Sequence, residues 1–122
     1  KVFKIFKVVG TSMKPCLLPG DYIIATTFFR SLIYKKKLVI LYDQTHLFVI
    51  KRVLARYNKT HVRLQSDNII TTSVFCCKPI EKKKILFSVI MVIRKKYIYT
   101  FIRFKEKLHK TIKKYFTLSY KI

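Results

Sequence analysis

Runs of β-branched and aromatic residues recur along this chain at a spacing of roughly ten residues, each closed by a short polar or turn-forming segment. Val2 to Val9 reads as a first strand by composition, and Leu18-Pro19-Gly20-Asp21 reads as a turn. Tyr22 to Phe29 gives a second strand and Leu38 to Tyr42 a third. Asp43-Gln44-Thr45 suits a hairpin turn into a fourth strand, His46 to Arg56. Tyr57-Asn58-Lys59 is the next turn, before a fifth strand from Thr60 to Gln65. Strand-like sequence resumes at Ile85. Helical periodicity is nearly absent before the last quarter of the chain, so the expected fold is mainly β, one domain over residues 1–94. A chain of 122 residues is long enough for one such domain and too short for two.

The organisation changes near Arg94. Residues 95–122 read as a basic amphipathic C-terminal extension, with Phe104, Leu108, Ile112 and Phe116 at i, i+4, i+8 and i+12 of a helix. That stripe suits a helix packed on the β domain or one lying on an anionic membrane surface; a disordered basic tail is the third reading. The longest apolar run, Ile85 to Ile93, falls short of the roughly 18 residues that a spanning helix needs. The expected location is therefore membrane-associated without a transmembrane helix in this chain. Lys1 rather than methionine stands first, which leaves an anchor upstream open.

The net charge of +22 invites a polyanionic partner. Of the 27 basic residues, however, 21 are lysine and 6 arginine. Arginine is the residue that base edges and phosphates engage bidentately, so the skew points to no specific nucleic acid. The three cysteines (Cys16, Cys76, Cys77) show neither CxxC nor Cys/His spacing, and His46, His61 and His109 stand apart. No disulfide framework, metal site or cofactor is expected.

Two residues carry candidate chemistry. Ser12 follows the first strand next to Gly10-Thr11, where a strand-to-turn transition can expose a hydroxyl and leave backbone N–H groups to receive an oxyanion. An ordinary turn serine fits the same signal. Lys51 falls on one face of the fourth strand with Leu47, Val49, Val53 and Ala55. An ammonium in that apolar row is costly, and desolvation would favour the neutral amine that a general base requires. An edge strand whose lysine reaches solvent is the alternative.

These residues stand within a longer ordered pattern: Gly10-Thr11-Ser12-Met13-Lys14-Pro15, then Gly20-Asp21, Lys51-Arg52-Val53, and Asp67-Asn68. The pattern resembles the signal peptidase I family, whose β-rich catalytic fold is shared with the LexA-type self-cleaving repressors. The resemblance spans residues 2 to about 94. It implies a serine endopeptidase with a Ser/Lys dyad, Ser12 as nucleophile and Lys51 as general base, with the N–H of Ser12 in the oxyanion hole. Gly10, Met13, Pro15, Gly20, Asp21, Asp67 and Asn68 match structural positions of the motifs, and Thr72 (with Thr71 and Ser73 beside it) aligns with the hydroxyl that orients the lysine. Implied substrates are exported preproteins with small residues at −1 and −3, presented at an anionic membrane surface. Two departures stand out: Ser66 replaces the glycine usual before Asp-Asn, and Thr72-Ser73-Val74-Phe75-Cys76 lacks the family's Asp-Ser-Arg. Other readings stay open: a LexA-type self-cleaving domain, a basic nucleic-acid-binding β module, and an inactive peptidase homologue. Only 11 residues precede Ser12, with no Ala-Gly or Cys-Gly bond among them, so this stretch offers no self-cleavage site.

Overall fold

The computed structural model describes residues 3–28, 34–45, 47–68, 70, 76, 78–112 and 120–122. The described strands are β1 (Phe3–Lys7), β2 (Tyr22–Thr26), β3 (Leu38–Asp43), β4 (Leu47–Arg56), β5 (His61–Gln65), β6 (Ile80–Glu81), β7 (Ile85–Ile93) and β8 (Tyr120–Lys121). They form one sheet in the order β6-β5-β4-β3-β7-β2-β1-β8. Neighbours pair antiparallel except β8, which runs parallel to β1. The mainly β expectation is met, and the five anticipated strands form within a few residues of their expected bounds. Tyr22–Thr26 stops short of Phe29. β6 had no clear signal in sequence: two residues after Pro79 pair with His61 and Val62 of β5.

The C-terminal extension is helical only in part. Among its described residues the helix α1 spans Ile98–Ile112, and Tyr120–Lys121 pair with the sheet as β8. On α1, Ile102 and Phe104 are exposed, with Phe104 57 % accessible, so this end of the expected stripe does not pack on the sheet. The Leu108 and Ile112 side chains and all of Phe116 lie outside the described residues. Among the described residues no helix is long and apolar enough to cross a membrane.

Period-two alternation builds a core on each side of the sheet. Along β3, Val39 and Leu41 join Val53, Val62, Leu64, Ile80 and Ile85, whereas Ile40 between them joins Phe6, Val8, Met13, Leu17, Ile23 and Ile50. Phe6 centres the second cluster, with edge-on contacts to Phe48 and Phe87 at centroid distances of 5.2 and 5.6 Å. Each fully buried side chain of this size contributes about 1.5–3 kcal/mol. Turn chemistry closes the hairpins: Asn58 Oδ1 accepts the N–H groups of Thr60 and His61, both at 2.8 Å, between β4 and β5.

Candidate active site

β4 lies between β3 and β5, so every residue at its centre has a strand on either side. Lys51 faces Val39 across β3. On the other flank Arg52 faces Gln65 and Val53 faces Leu64, a register that sets Lys51 opposite Ser66, the first residue past β5. The lysine is 2 % exposed. The solvent-reaching edge lysine is thereby excluded: the strand is interior and the side chain does not reach water. Nζ instead donates to Ser66 Oγ at 2.9 Å, and that hydroxyl lies 3.9 Å from Cys76 Sγ. Burial pushes the lysine down from its ordinary pKa, and the negative charge that Cys76 would carry as a thiolate works against the shift.

Ser12 sits half-buried in the turn after β1. Two core side chains in that turn, Met13 and Leu17, are anchored in the Phe6 cluster, and the Leu17 N–H donates to the Met13 carbonyl at 2.8 Å. The turn tightens further through the Lys14 N–H to the Thr11 carbonyl at 3.1 Å, and Pro15 stays at its exposed rim. Its other support is Asn68, whose N–H donates to the Ser12 carbonyl at 2.9 Å and whose Nδ2 donates to the Thr11 carbonyl at 3.0 Å. Asp67, between Ser66 and Asn68, accepts a bidentate pair from Arg52, Nε to Oδ1 and Nη2 to Oδ2, both 2.8 Å. Arg52 also reaches the Lys36 carbonyl at 2.8 Å and Cys16 Sγ at 3.0 Å.

Three consecutive residues therefore organise the site: Ser66 holds Lys51, Asp67 holds the neighbouring Arg52, and Asn68 holds the Ser12 turn. A tripeptide spans at most roughly 10 Å, so Ser12 and Lys51 are brought to one locality by one short segment. The hydrogen bond of Lys51 goes to Ser66 rather than to Ser12. Gly20 and Asp21 brace the other side of the turn. Gly20 has φ +96°, the left-handed region that favours glycine; a Cβ there would meet only the Lys95 side chain, at 2.9 Å from Cδ. Asp21 is 2 % exposed and accepts from the Leu18 N–H (3.0 Å), the Lys95 N–H (3.0 Å) and Arg94 Nη1 (2.8 Å). Gly10 carries no such demand: a Cβ there would meet open space.

Of the positions singled out in sequence, Asn68 binds the turn that carries Ser12, Asp21 closes the far side of that turn, and Lys51 is joined to Ser66, two residues before Asn68; two further residues take part. Ser66 and Arg94 were not among them: Ser66 Oγ accepts from Lys51 Nζ, and Arg94 donates to Asp21. Thr72, Thr71 and Ser73 lie outside the described residues. The turn at Tyr57-Asn58-Lys59 does not by itself predict this partner: Arg56 pairs with Val62, and a bulge between Val53 and Ala55 shifts the register so that the residue after Gln65 falls against Lys51. Among the described residues no three His, Cys, Asp or Glu side chains gather as a metal site. No protein-family model, no curated protein and no solved structure matches this chain.

Proposed function

We propose that this chain is a serine endopeptidase of signal peptidase I type, with the β-rich fold of that family and of the LexA-type repressors. The observation that carries the reading is Lys51: an amine 2 % exposed on an interior strand, hydrogen-bonded to a hydroxyl and held below its ordinary pKa. A sheet has no packing use for such a group, and a base near neutral pH requires it. Ser12 supports the reading from the other side, since its turn is held by Asn68 and core side chains and, among the described residues, no backbone carbonyl accepts its N–H.

In this mechanism neutral Lys51 takes the Ser12 proton as the hydroxyl oxygen attacks the scissile carbonyl. The N–H of Ser12 receives the developing oxyanion. Collapse of the tetrahedral intermediate breaks the peptide C–N bond, and the lysine returns its proton to the leaving amine. Water, deprotonated by Lys51, then hydrolyses the acyl-enzyme and restores Ser12. Ser66 is a positioning residue that aims Nζ. Preprotein substrates with small residues at −1 and −3 belong to the same proposal. So does docking at an anionic membrane surface by the basic helix α1, where Arg103 and Lys107 flank the exposed Ile102 and Phe104.

The test is cleavage of a model preprotein in anionic-lipid vesicles by the full chain beside Ser12→Ala. Cleavage after a small residue, lost in Ser12→Ala at unchanged circular dichroism, is expected; equal cleavage by both proteins would sink the reading. A second prediction isolates Ser66. Ser66→Ala is expected to lower kcat by roughly 10- to 100-fold with KM little changed, and Ser66→Thr to recover most of the rate. An unchanged kcat in Ser66→Ala would remove the positioning role.

A further inference from the structure

The segment Tyr120–Lys121 lies on the strand edge that leads to Ser12. β8 runs parallel to β1, with Tyr120 opposite Phe6 and Lys121 opposite Lys7. The pairing continues one residue further: the Ile122 N–H donates to the Lys7 carbonyl at 2.8 Å, and the Ile122 carbonyl accepts from the Val9 N–H at 2.6 Å. Successive residues of a strand turn their polar groups to opposite edges. Those of Val8 face β2, donating to the Asp21 carbonyl and accepting from Gly20, so Lys7 and Val9 present theirs outward. Ile122 takes both. Its half-buried side chain also packs against the cluster of Phe6, Val8 and Met13.

This edge ends where the candidate nucleophile begins. Only Gly10 and Thr11 separate Val9 from Ser12. At about 3.3 Å per residue, an extended chain running on in the same register and direction would come level with Ser12 within three or four residues. Main-chain pairing on an exposed edge accepts many sequences, and side-chain pockets add the selectivity. The Lys7 carbonyl and Val9 N–H are therefore the groups by which an extended peptide would be seated, and a strand of this chain already holds them.

We propose that the segment Tyr120–Ile122 is an intramolecular occupant of the peptide-acceptor edge of β1, competing with extended peptides for the Lys7 carbonyl and the Val9 N–H. This rests on the peptidase reading of Ser12. Release of the segment is then the step that opens the enzyme to substrate. Among the described residues the segment is held by a few backbone bonds and one partly buried side chain, which suits a contact meant to be displaced.

The test compares full-length Ile122→Pro with the unsubstituted chain, both in the Ser12→Ala background. Proline lacks the N–H that bonds Lys7. The probe is a fluorescein-labelled peptide with alanine at −1 and −3, followed by anisotropy. Binding about tenfold tighter to Ile122→Pro is expected, on the scale of one lost hydrogen bond. A synthetic peptide of residues 115–122 added in trans should compete with the probe. If Ile122→Pro folds poorly, Ile122→Ala removes the side-chain anchor alone and should tighten binding to a smaller degree. Equal or weaker binding to folded variants, or no binding to any of them, overturns the proposal. Binding needs no turnover, which separates the two readings. Tighter probe binding with Ser12 dispensable for cleavage would retain the occupant and discard the peptidase. Ser12-dependent cleavage with Ile122→Pro indistinguishable from wild type would do the reverse.

Discussion

Lys51→Met is expected to cut peptide cleavage by about 10³-fold or more while making the protein more stable at neutral pH. The first half follows from the base role, since general-base catalysis contributes roughly 10²–10⁴-fold and methionine accepts no proton. The second half follows from burial. Lys51 is 2 % exposed, with one hydrogen bond to Ser66 and no carboxylate among its partners in the described residues. Its hydrogen bond is worth about 1 kcal/mol net, whereas withdrawing an ammonium from water costs several. Methionine keeps the length and fills the same space without that cost. The Ser66 hydroxyl left behind is only half-buried and keeps Cys76 nearby. The net gain should be about 1–2 kcal/mol at pH 7.

The pH dependence sharpens this prediction. Burial lowers the folded-state pKa of Lys51 below its unfolded value, the reverse of a lysine that gains a carboxylate partner. Below the folded value both states hold the proton, and the native state bears the full burial penalty. Between the folded and the unfolded value the unfolded chain binds more protons, so stability rises with pH. Above the unfolded value the penalty is gone. Urea unfolding of wild type and Lys51→Met should therefore show a gap at neutral pH that closes as pH approaches the ordinary lysine value. A variant less stable than wild type at pH 7 would contradict the account of a buried amine with no carboxylate partner among the described residues. Activity should rise over the same window, as the neutral amine becomes populated.

The fold was legible where local chemistry decides it and illegible where long-range pairing does. Strands β1 to β5 and β7 announce themselves through β-branched and aromatic runs, and the Asn58 turn through its side-chain acceptor. β6 and β8 have two residues each, too few for any periodicity, and exist because a partner strand offers them a ladder. The placement of Lys51 illustrates the same division. Its apolar row was visible, but whether β4 lay at an edge or inside depended on β3 and β5 flanking it. Ser66 first read as a loss, because glycine was expected there. Cross-strand register turns it into the hydrogen-bond partner of Lys51. Asp67 and Asn68 were legible as a motif while their tasks, gripping Arg52 and the Ser12 turn, were not, since the contacts span 15 and more than 50 residues of sequence.

Asp21→Ala should destabilise the protein by about 3 kcal/mol, lowering Tm by roughly 10 °C or more for a domain of this size. The chain has five acidic residues against 27 basic ones, and this one is spent inside, at the junction of three segments. Its carboxylate receives Leu18 from the turn before β2, and Arg94 and Lys95 from the end of β7, while its own carbonyl receives Val8 from the end of β1. Alanine leaves two backbone donors and a guanidinium facing a buried gap, at a cost of about 1–3 kcal/mol for each group that water cannot reach. Arg94 is the mildest of these losses, because it is exposed and retains the Cys16 carbonyl at 2.6 Å. Burial alone would raise the Asp21 pKa, but the hydrogen bonds from Leu18 and Lys95 and the Arg94 charge outweigh it and hold it below the ordinary carboxylate value. The stabilisation is accordingly complete above that ordinary value and is lost as pH falls through the depressed one. The gap in Tm between wild type and Asp21→Ala should be full at pH 7 and shrink on acidification below the ordinary carboxylate value. A Tm within 2–3 °C of wild type at pH 7, about the effect of a neutral surface substitution, would show that the junction does not depend on this carboxylate. Because the same junction fixes the exit of β1 and the turn that carries Ser12, Asp21→Ala should also lose cleavage well below its lowered Tm, and a low-temperature assay separates that displacement of the nucleophile from simple unfolding.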